Sequence, residues 1–220
     1  MTEERMLLYR DVTAAGLDDW RMLARGIHAR FTTGNFATGL SFVAAIGELA
    51  EAVNHHPDVT LTYPRVDVML TSHDVGHVTQ RDLDLAGQIS EAARSLDVGS
   101  DPDKLQQVEL GLDTPDREAV QPFWAAFMDY ESNRDEVRDP RGQGPTIWFQ
   151  KSGSDEPRQR WHYDVWVPGD QVEARLDAVR QAGGAVVAEF PEHSFWVVED
   201  AQGNRSCVCT AAGRWEKTEE

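Results

Sequence analysis

Two short segments of the chain combine the residue types that proton transfer requires. One is the triplet His55-His56-Pro57, and the other is the run Thr71-Ser72-His73-Asp74. Imidazole titrates near neutral pH, so it gives or takes a proton without a large change in its pKa. A proline directly after a helix end fixes the direction in which the histidine pair points. Together the two segments predict a general acid/base site.

Two other roles for these histidines stay open at this stage. A histidine pair at a helix C-terminus also stabilises the negative end of the helix, and three imidazoles are a possible zinc ligand set. Neighbouring histidines on an extended backbone point apart, however, whereas zinc sites more often use histidines two or four positions apart. The spacing of His55, His56 and His73 therefore favours acid–base chemistry, and His28 and His77 are predicted to lie at the surface.

Hydrophobic periodicity places these segments on a small α+β fold. A period of two predicts a strand over residues 23–31, and apolar residues at every third or fourth position predict an amphipathic helix over residues 35–54. Alternation on both sides of Pro64 predicts two short strands joined by a tight turn. Thr79 is a candidate N-cap of a last helix, with Asp82 at its third position. The predicted order is α-β-β-α-β-β-α.

Composition limits the partners of the chain. Its 220 residues contain 21 Lys plus Arg against 38 Asp plus Glu, a net charge of −17 that repels phosphate backbones and anionic lipid. We therefore expect neither nucleic acid nor membrane as a partner. An acidic start and the absence of a long apolar run predict a cytoplasmic protein, in which Cys207 and Cys209 are two buried free thiols.

A polar stretch at residues 97–104 divides the chain into two halves of different composition. Five of the seven histidines precede it and six of the seven tryptophans follow it. We predict a first domain over residues 1–98, a linker at 99–104, a second domain over 105–213 and a tail at 214–220. The second domain repeats itself weakly with an offset of about 55 residues, which predicts two paired β-α-β-β-β units that enclose a cleft.

The first half resembles the pterin-4a-carbinolamine dehydratases over residues 12–97. The resemblance rests on the His-His-Pro triplet after an acidic helical turn that begins at Glu51, and on the segment from Leu70 to Asp74 followed by Arg81-Asp82. It implies a saddle-like four-stranded antiparallel sheet with helices on one face. It also implies an enzyme that expels water from a 4a-hydroxytetrahydropterin to give the quinonoid dihydropterin, without a metal or redox cofactor.

The resemblance also assigns roles to individual residues. His56 and His73 are implied as the acid/base pair, and His55 as a neighbour that orients the substrate or stabilises developing charge. The implied substrate-binding residues are Glu51, Pro57, Thr71, Ser72, Arg81 and Asp82.

Three positions depart from the family pattern around these residues. Val59 stands where a tryptophan is common, Asn54 where an aspartate is common, and His77 where glycine is usual. The triplet itself is intact. The departures put the identity of the substrate and the rate of turnover in question.

The second half resembles the glyoxalase-like, vicinal oxygen chelate superfamily over residues 105–213. Gln107 and His162 match positions where members of that superfamily hold a metal on the first strand of each unit. The expected carboxylates on the last strands are missing, because residues 146–151 and 206–210 contain no Asp or Glu. Two ligands do not complete a divalent site, so we predict a domain without a metal.

These observations predict a two-domain dehydratase acting on 4a-hydroxytetrahydrobiopterin or a related pterin, with an accessory glyoxalase-like domain. An aromatic amino acid hydroxylase is a possible source of the substrate, and resembling proteins suggest a homo-oligomer. One alternative is a pterin-binding or dimerisation module without turnover. Another is a metal-dependent lyase, isomerase or dioxygenase in the second domain.

Overall fold

The computed structural model of the chain describes residues 5–152, 160–199, 203 and 205–213. The described chain forms two compact units. The first contains the residues up to Gln106 together with Pro168–Asp170 and the stretch from Thr210, and the second contains Gln107–Val167 and Gln171–Cys209. Each unit has buried apolar clusters of its own. As domain limits, residues 98 and 105 stay predictions, and the predicted tail at 214–220 lies outside the described residues.

The first unit has the predicted α-β-β-α-β-β-α order, followed by one further short strand. Its helices and strands are α1 (Tyr9–Ala14), β1 (Trp20–Leu23), β2 (Gly26–Thr32), α2 (Phe36–Val53), β3 (Asp58–Thr62), β4 (Arg65–Leu70), α3 (Gln80–Ser95) and β5 (Gly99–Ser100). The first four strands form an antiparallel sheet in the order β1-β2-β4-β3, and β5 pairs with β2. The predicted fold class is confirmed.

Two segments of the first unit differ from their predictions. The single strand predicted over residues 23–31 is wrong at its start, because the chain turns back at Ala24, which has a positive φ of 27°, so that Leu23 lies opposite Gly26. At Gly26 a Cβ would lie 2.8 Å from the Leu70 carbonyl oxygen, so only glycine fits this turn. Residues 99–104, predicted as a linker, begin with β5, and Arg30 Nη1 donates to the Lys104 carbonyl at 3.1 Å.

The core of the first unit lies between one face of the sheet and the helices α2 and α3. Phe31 of β2 and Phe42 of α2 meet edge to face, with ring centroids 5.0 Å apart. Burying each such side chain contributes about 1.5–3 kcal/mol. The largest fully buried side chains of this unit are Leu23, Ile27, Phe31, Phe42, Ile46, Val66, Leu70, Val78, Leu85 and Ile89.

Helix α2 has the predicted limits but not a fully covered apolar face. The Asn35 side chain accepts a hydrogen bond from the Thr38 amide at 2.8 Å, and Asn54 ends the helix in the left-handed conformation. Phe42 and Ile46 are buried, whereas Phe36, predicted on the same apolar face, is 52% exposed. By length and mean hydropathy α2 is the one described helix that could cross a bilayer, a property that core helices of soluble proteins share.

The second unit consists of the two predicted β-α-β-β-β repeats, joined in one sheet. The first repeat contains β6 (Gln107–Thr114), α4 (Arg117–Met128), β7 (Glu131–Asn133), β8 (Glu136–Arg138) and β9 (Ile147–Lys151). The second repeat contains β10 (Trp161–Trp166), α5 (Val172–Gln181), β11 (Ala185–Phe190), β12 (Phe195–Glu199) and β13 (Arg205–Cys209). The strand order is β11-β12-β13-β10-β6-β9-β8-β7. The sequence analysis predicted the number of strands in each repeat but did not locate β7, β8 or β11.

A pseudo-twofold axis passes between β6 and β10. These antiparallel strands place Glu109 opposite Asp164, the two positions that the offset of 55 residues relates. The same offset separates Arg117 from Val172, the first residues of α4 and α5. It has grown to 58 at Ile147 and Arg205, the first residues of the last strands. The two repeats therefore correspond residue by residue from the central strands to the starts of the helices. The segment between the helix and the last strand is longer in the second repeat than in the first.

His28 is less exposed than its position on the polar side of β2 predicts. It lies on the same strand face as Arg30, which forms a bidentate ion pair with Asp67 at 2.6 and 3.1 Å. His28 Nε2 is inaccessible to solvent and has no hydrogen-bond partner among the described residues. Burial lowers the pKa of His28 to about 4, and the nearby Asp67 carboxylate offsets part of that effect. His28 is therefore half-buried, with its Nε2 covered, rather than fully exposed.

This half-buried imidazole, whose Nε2 is inaccessible to solvent, should make the protein sensitive to mild acid. Between pH 6.5 and 4 the unfolded state binds a proton at His28 that the folded state does not, so the free energy of unfolding falls as the pH falls. We expect the native chain to lose up to about 3 kcal/mol more than a His28→Gln variant over this range. Urea unfolding at a series of pH values measures the difference. Parallel pH profiles of the two proteins would contradict the prediction.

Candidate active site

The two histidine segments meet at one end of the β3–β4 hairpin. The triplet ending at Pro57 leads directly into β3, and Thr71 follows the last residue of β4. Because the strands are antiparallel, with Asp58 opposite Met69, the start of β3 and the end of β4 lie side by side. Antiparallel pairing thus brings together residues that are distant in the chain.

A buried carboxylate joins the two segments. Asp82, in the first turn of α3, is 0% exposed. Its Oδ1 lies 2.7 Å from His55 Nε2, and its Oδ2 accepts hydrogen bonds from Ser72 Oγ at 2.8 Å and from the Thr79 amide at 2.7 Å. Three donors from three parts of the chain therefore converge on one side chain. A buried carboxylate requires such partners, since an unpaired one would cost several kcal/mol.

The direction of each hydrogen bond follows from the donors and acceptors present. An ionised carboxylate only accepts, so His55 Nε2 is the donor of this hydrogen bond. Ser72 donates its single hydroxyl proton to Asp82. Its oxygen must therefore accept a hydrogen bond from Thr79 Oγ1, 2.8 Å away. Thr79 Oγ1 in turn accepts from the Arg81 amide at 3.3 Å. This chain of hydrogen bonds fixes the tautomer of a histidine that is itself buried.

The other two candidate histidines are accessible to solvent. The His56 side chain is 52% exposed, and its Nε2 lies 3.1 Å from Oε1 of Glu51, one turn back on α2. His73 is exposed in the loop after β4. That loop is closed by a hydrogen bond from the Ser72 amide to the His77 carbonyl at 3.2 Å. Each exposed histidine directly follows a residue that Asp82 holds, His55 in one case and Ser72 in the other.

An ion pair flanks His73. Arg81 Nη2 donates to Asp74 Oδ1 at 2.7 Å, and this hydrogen bond lowers the pKa of the Asp74 carboxyl. Thr71 and Pro57 are half-buried beside the exposed histidines. The structure thus arranges the predicted site residues as an Asp82 network, a Glu51–His56 pair and an Arg81–Asp74 pair. Sequence reasoning gave no individual role to Asp74, although Asp74 belongs to the second segment, and it identified Thr79 only as a helix cap.

The two candidate metal ligands of the second unit lie on different rungs of the central ladder. Gln107 is opposite Trp166, and His162 is opposite Gly111, four residues along β6. At about 3.4 Å per residue their rungs are roughly 14 Å apart. Among the described residues, no group of three or more His, Cys, Asp or Glu side chains is arranged to hold a metal ion. A second unit without a metal stays a prediction.

Carboxylates gather instead around the pseudo-twofold axis of the second unit. Glu109 and Asp164 are buried, and the Trp148 indole donates to Asp164 Oδ2 at 2.9 Å. Burial raises the pKa of the Asp164 carboxyl, the nearby His162 opposes that rise, and Glu109 adds to it. The His162 ring lies over Gly111, where a Cβ would come within 2.3 Å of it. This polar cluster packs tightly, and glycine at 111 is part of the packing.

Comparison with known proteins identifies the family of the first unit. The model of the pterin 4 alpha carbinolamine dehydratase family matches residues 7–92. A protein of Picosynechococcus sp. that is named as a pterin-4-alpha-carbinolamine dehydratase is 42% identical over 73 residues, which are 33% of this chain and 79% of that protein. The chain belongs to the pterin-4a-carbinolamine dehydratase family. The dehydratase part accounts for the first unit, and a glyoxalase-like domain model matches residues 109–209.

Solved structures resemble each part of this dehydratase-family chain. A transcriptional coactivator/pterin dehydratase from Brucella melitensis is 30% identical, with a TM-score of 0.39, over 40% of this chain and 99% of that protein. A glyoxalase/bleomycin resistance protein/dioxygenase superfamily member from Vibrio splendidus is 12% identical, with a TM-score of 0.33, over 48% of this chain and 99% of that protein.

The Asp82 network of this dehydratase-family chain should also stabilise its fold. In Asp82→Asn an amide N–H group would face at least one of the three donors, so we expect a loss of about 3 kcal/mol in the free energy of unfolding. Asp84→Asn is the matched control, because Asp84 is exposed on the same helix and bonds only Gln80 among the described contacts. Urea unfolding compares the two variants, and an equal effect of both would refute the role of the network.

Proposed function

We propose that the first unit dehydrates a 4a-hydroxytetrahydropterin to the quinonoid dihydropterin. The family supports a dehydratase. One observation on this chain carries the proposal: two exposed imidazoles, His56 and His73, lie at the same end of one hairpin, next to residues that a single buried carboxylate holds in place. The reaction needs two groups that exchange protons near neutral pH, and the site offers them to solvent.

The chemistry divides between these two histidines. Loss of the 4a-hydroxyl requires a proton on the departing oxygen, which leaves as water, and removal of a proton from the adjacent ring nitrogen. In the proposal His56 and His73 are this acid/base pair. The Glu51 carboxylate, 3.1 Å from His56 Nε2, accepts a hydrogen bond from that nitrogen and orients the His56 ring.

The remaining site residues position the pair or the substrate. His55 is a positioning residue in this proposal, since its ring is buried and its protonated Nε2 is tied to Asp82. Ser72 fixes the start of the loop that carries His73. Arg81, paired with Asp74, lies on the side of His73 and offers N–H donors for the carbonyl and ring nitrogens of a pterin. Pro57 and Thr71 border the same end of the hairpin.

The proposal extends to the setting of the enzyme. We propose 4a-hydroxytetrahydrobiopterin or a close relative as substrate, an aromatic amino acid hydroxylase as its source, and a homo-oligomeric enzyme of the cytoplasm. The glyoxalase-like unit is proposed as an accessory domain. The acidic net charge of −17 supports a partner other than nucleic acid or an anionic membrane.

Turnover measurements test the proposed reaction. We expect the intact chain to accelerate dehydration of enzymatically generated 4a-hydroxytetrahydropterin well above its spontaneous rate, followed by ultraviolet absorbance. His56→Ala and His73→Ala should each lower the rate by about a hundredfold or more, because each removes a proton-transfer group.

His193→Ala is the control, since His193 is an exposed histidine of the second unit that pairs with Glu192. It should leave turnover unchanged. A folded intact chain with no more than the spontaneous rate would overturn the proposed function.

A further inference from the structure

Two short segments from the second half of the chain belong to the first unit. They are Pro168–Asp170, between β10 and α5, and residues 210–213, which follow β13. Each segment includes a buried residue. Pro168 is buried, and Ala211, which is 2% exposed, belongs to the same apolar cluster as Val12 of α1. The first unit is therefore not built from the N-terminal residues alone.

These two segments contact α1 and the neighbouring strand β1. An added Cβ at Gly169 would lie 2.7 Å from the Tyr9 hydroxyl oxygen and 3.7 Å from Tyr9 Cζ, so the tip of the Tyr9 ring lies directly against the Gly169 backbone. Ala211–Gly213 form a short 3₁₀ helix against α1. Asp170 Oδ2 accepts a hydrogen bond from Arg21 Nη2 of β1 at 3.1 Å. Residues from the far half of the chain therefore cover part of α1.

The segment just before α1 contacts the candidate site. Leu7 is 7% exposed, and its amide donates to the Val78 carbonyl at 2.8 Å. Val78 is itself buried and lies between His77 and Thr79 in the chain. The His77 carbonyl closes the loop after β4, and the Thr79 amide donates to Asp82 at 2.7 Å. Leu7 thus holds the point at which the loop after β4 and the Asp82 network join.

A displacement of α1 would carry Leu7 with it. The helix has only six residues, and Asp11 in its first turn accepts a hydrogen bond from the Leu8 amide at 2.9 Å. This bond ties the segment before the helix to the helix itself. Close-packed protein interiors are hard to compress and transmit such shifts. A shift imposed on Tyr9 therefore reaches Val78 through one short helix and one hydrogen bond.

We propose that the second half of the chain positions His73 through α1, with Gly169 and Tyr9 as positioning residues of the dehydratase reaction. This inference rests on the proposed function. The loop after β4 is largely exposed, so its two ends set the place of His73. Ser72 is held by the buried carboxylate at one end, and Val78 by the segment before α1 at the other. A misplacement of about 1 Å can cost about a hundredfold in rate, so both ends must be fixed.

Hydrogen exchange measures this link without any assay of activity. In Gly169→Ala the new Cβ would overlap the Tyr9 hydroxyl, so α1 must shift, and we expect the hydrogen-bonded amides of the loop after β4 to exchange about tenfold faster. Adding Tyr9→Phe should restore the native rate, because the Cζ atom that remains is at an ordinary contact distance. Mass spectrometry of a peptide spanning residues 71–78 measures the rates.

Gly99→Ala is the matched control for the exchange measurement. Gly99 is exposed, and an added Cβ there would meet nothing within 4 Å, so exchange in the loop after β4 should stay at the native rate. The single variant Tyr9→Phe should also exchange as the native chain does. Native exchange in Gly169→Ala, or faster exchange that Tyr9→Phe does not reverse, would overturn the inference.

Turnover distinguishes positioning from a purely structural role. Gly169→Ala should lower kcat about tenfold at nearly constant KM, because a displaced His73 transfers its proton poorly while the contacts that bind substrate remain. The double variant with Tyr9→Phe should recover kcat. Faster exchange in the loop after β4 together with a native kcat would show that the link is structural only, and would refute the positioning role.

The two measurements separate this inference from the proposed function. An intact chain without turnover overturns the dehydratase proposal, and with it the role of Gly169 in the reaction, whereas hydrogen exchange still decides the link from Gly169 to the loop after β4. An active chain in which Gly169→Ala changes neither exchange nor kcat leaves the dehydratase proposal standing and refutes the inference. Circular dichroism checks that each variant is folded.

Discussion

The carboxylate of Asp82 is the constraint on which the first unit depends. Its three hydrogen bonds connect the end of α2, the loop after β4 and the first turn of α3. A charge buried this deeply is tolerated only while its donors stay in place. The same group is therefore a helix cap and the anchor of the candidate site. A change at Asp82 therefore alters both the stability of α3 and the geometry of the candidate site.

The candidate site has a buried layer and an exposed layer. His55 and Ser72 are buried and hydrogen-bonded to the buried Asp82, whereas His56 and His73 reach solvent. Each exposed histidine is covalently attached to a member of the buried layer. Proton transfer requires access to substrate and water, and precise placement requires packing. The division into layers meets both requirements with residues that are adjacent in the chain.

Sequence patterns predicted the helices and the repeat well because periodicity and caps are local signals, as at Asn35 and Thr79. They failed at Ala24, since neither Ala24 nor Arg25 is a turn-forming residue type. They also could not tell that Phe36 is exposed and that His28 is half-buried, because periodicity identifies a face but not what lies against it. The site motifs were located, but the bond from Asp82 to His55 depends on the register of β3 and β4.

The pairing of β6 with β10 at the axis of the second unit limits where residues can be inserted into that domain. Leu110 and Leu112 pack with α4, whereas their neighbours Glu109 and Gly111 point to the other side of the sheet. Side chains alternate along a strand, so inserting one residue into β6 would turn Glu109 toward the apolar helix side and bring Leu110 to the polar side. Insertions and deletions are therefore confined to the segments outside the two central strands. The offset between the repeats changes from 55 to 58 residues in these outer segments.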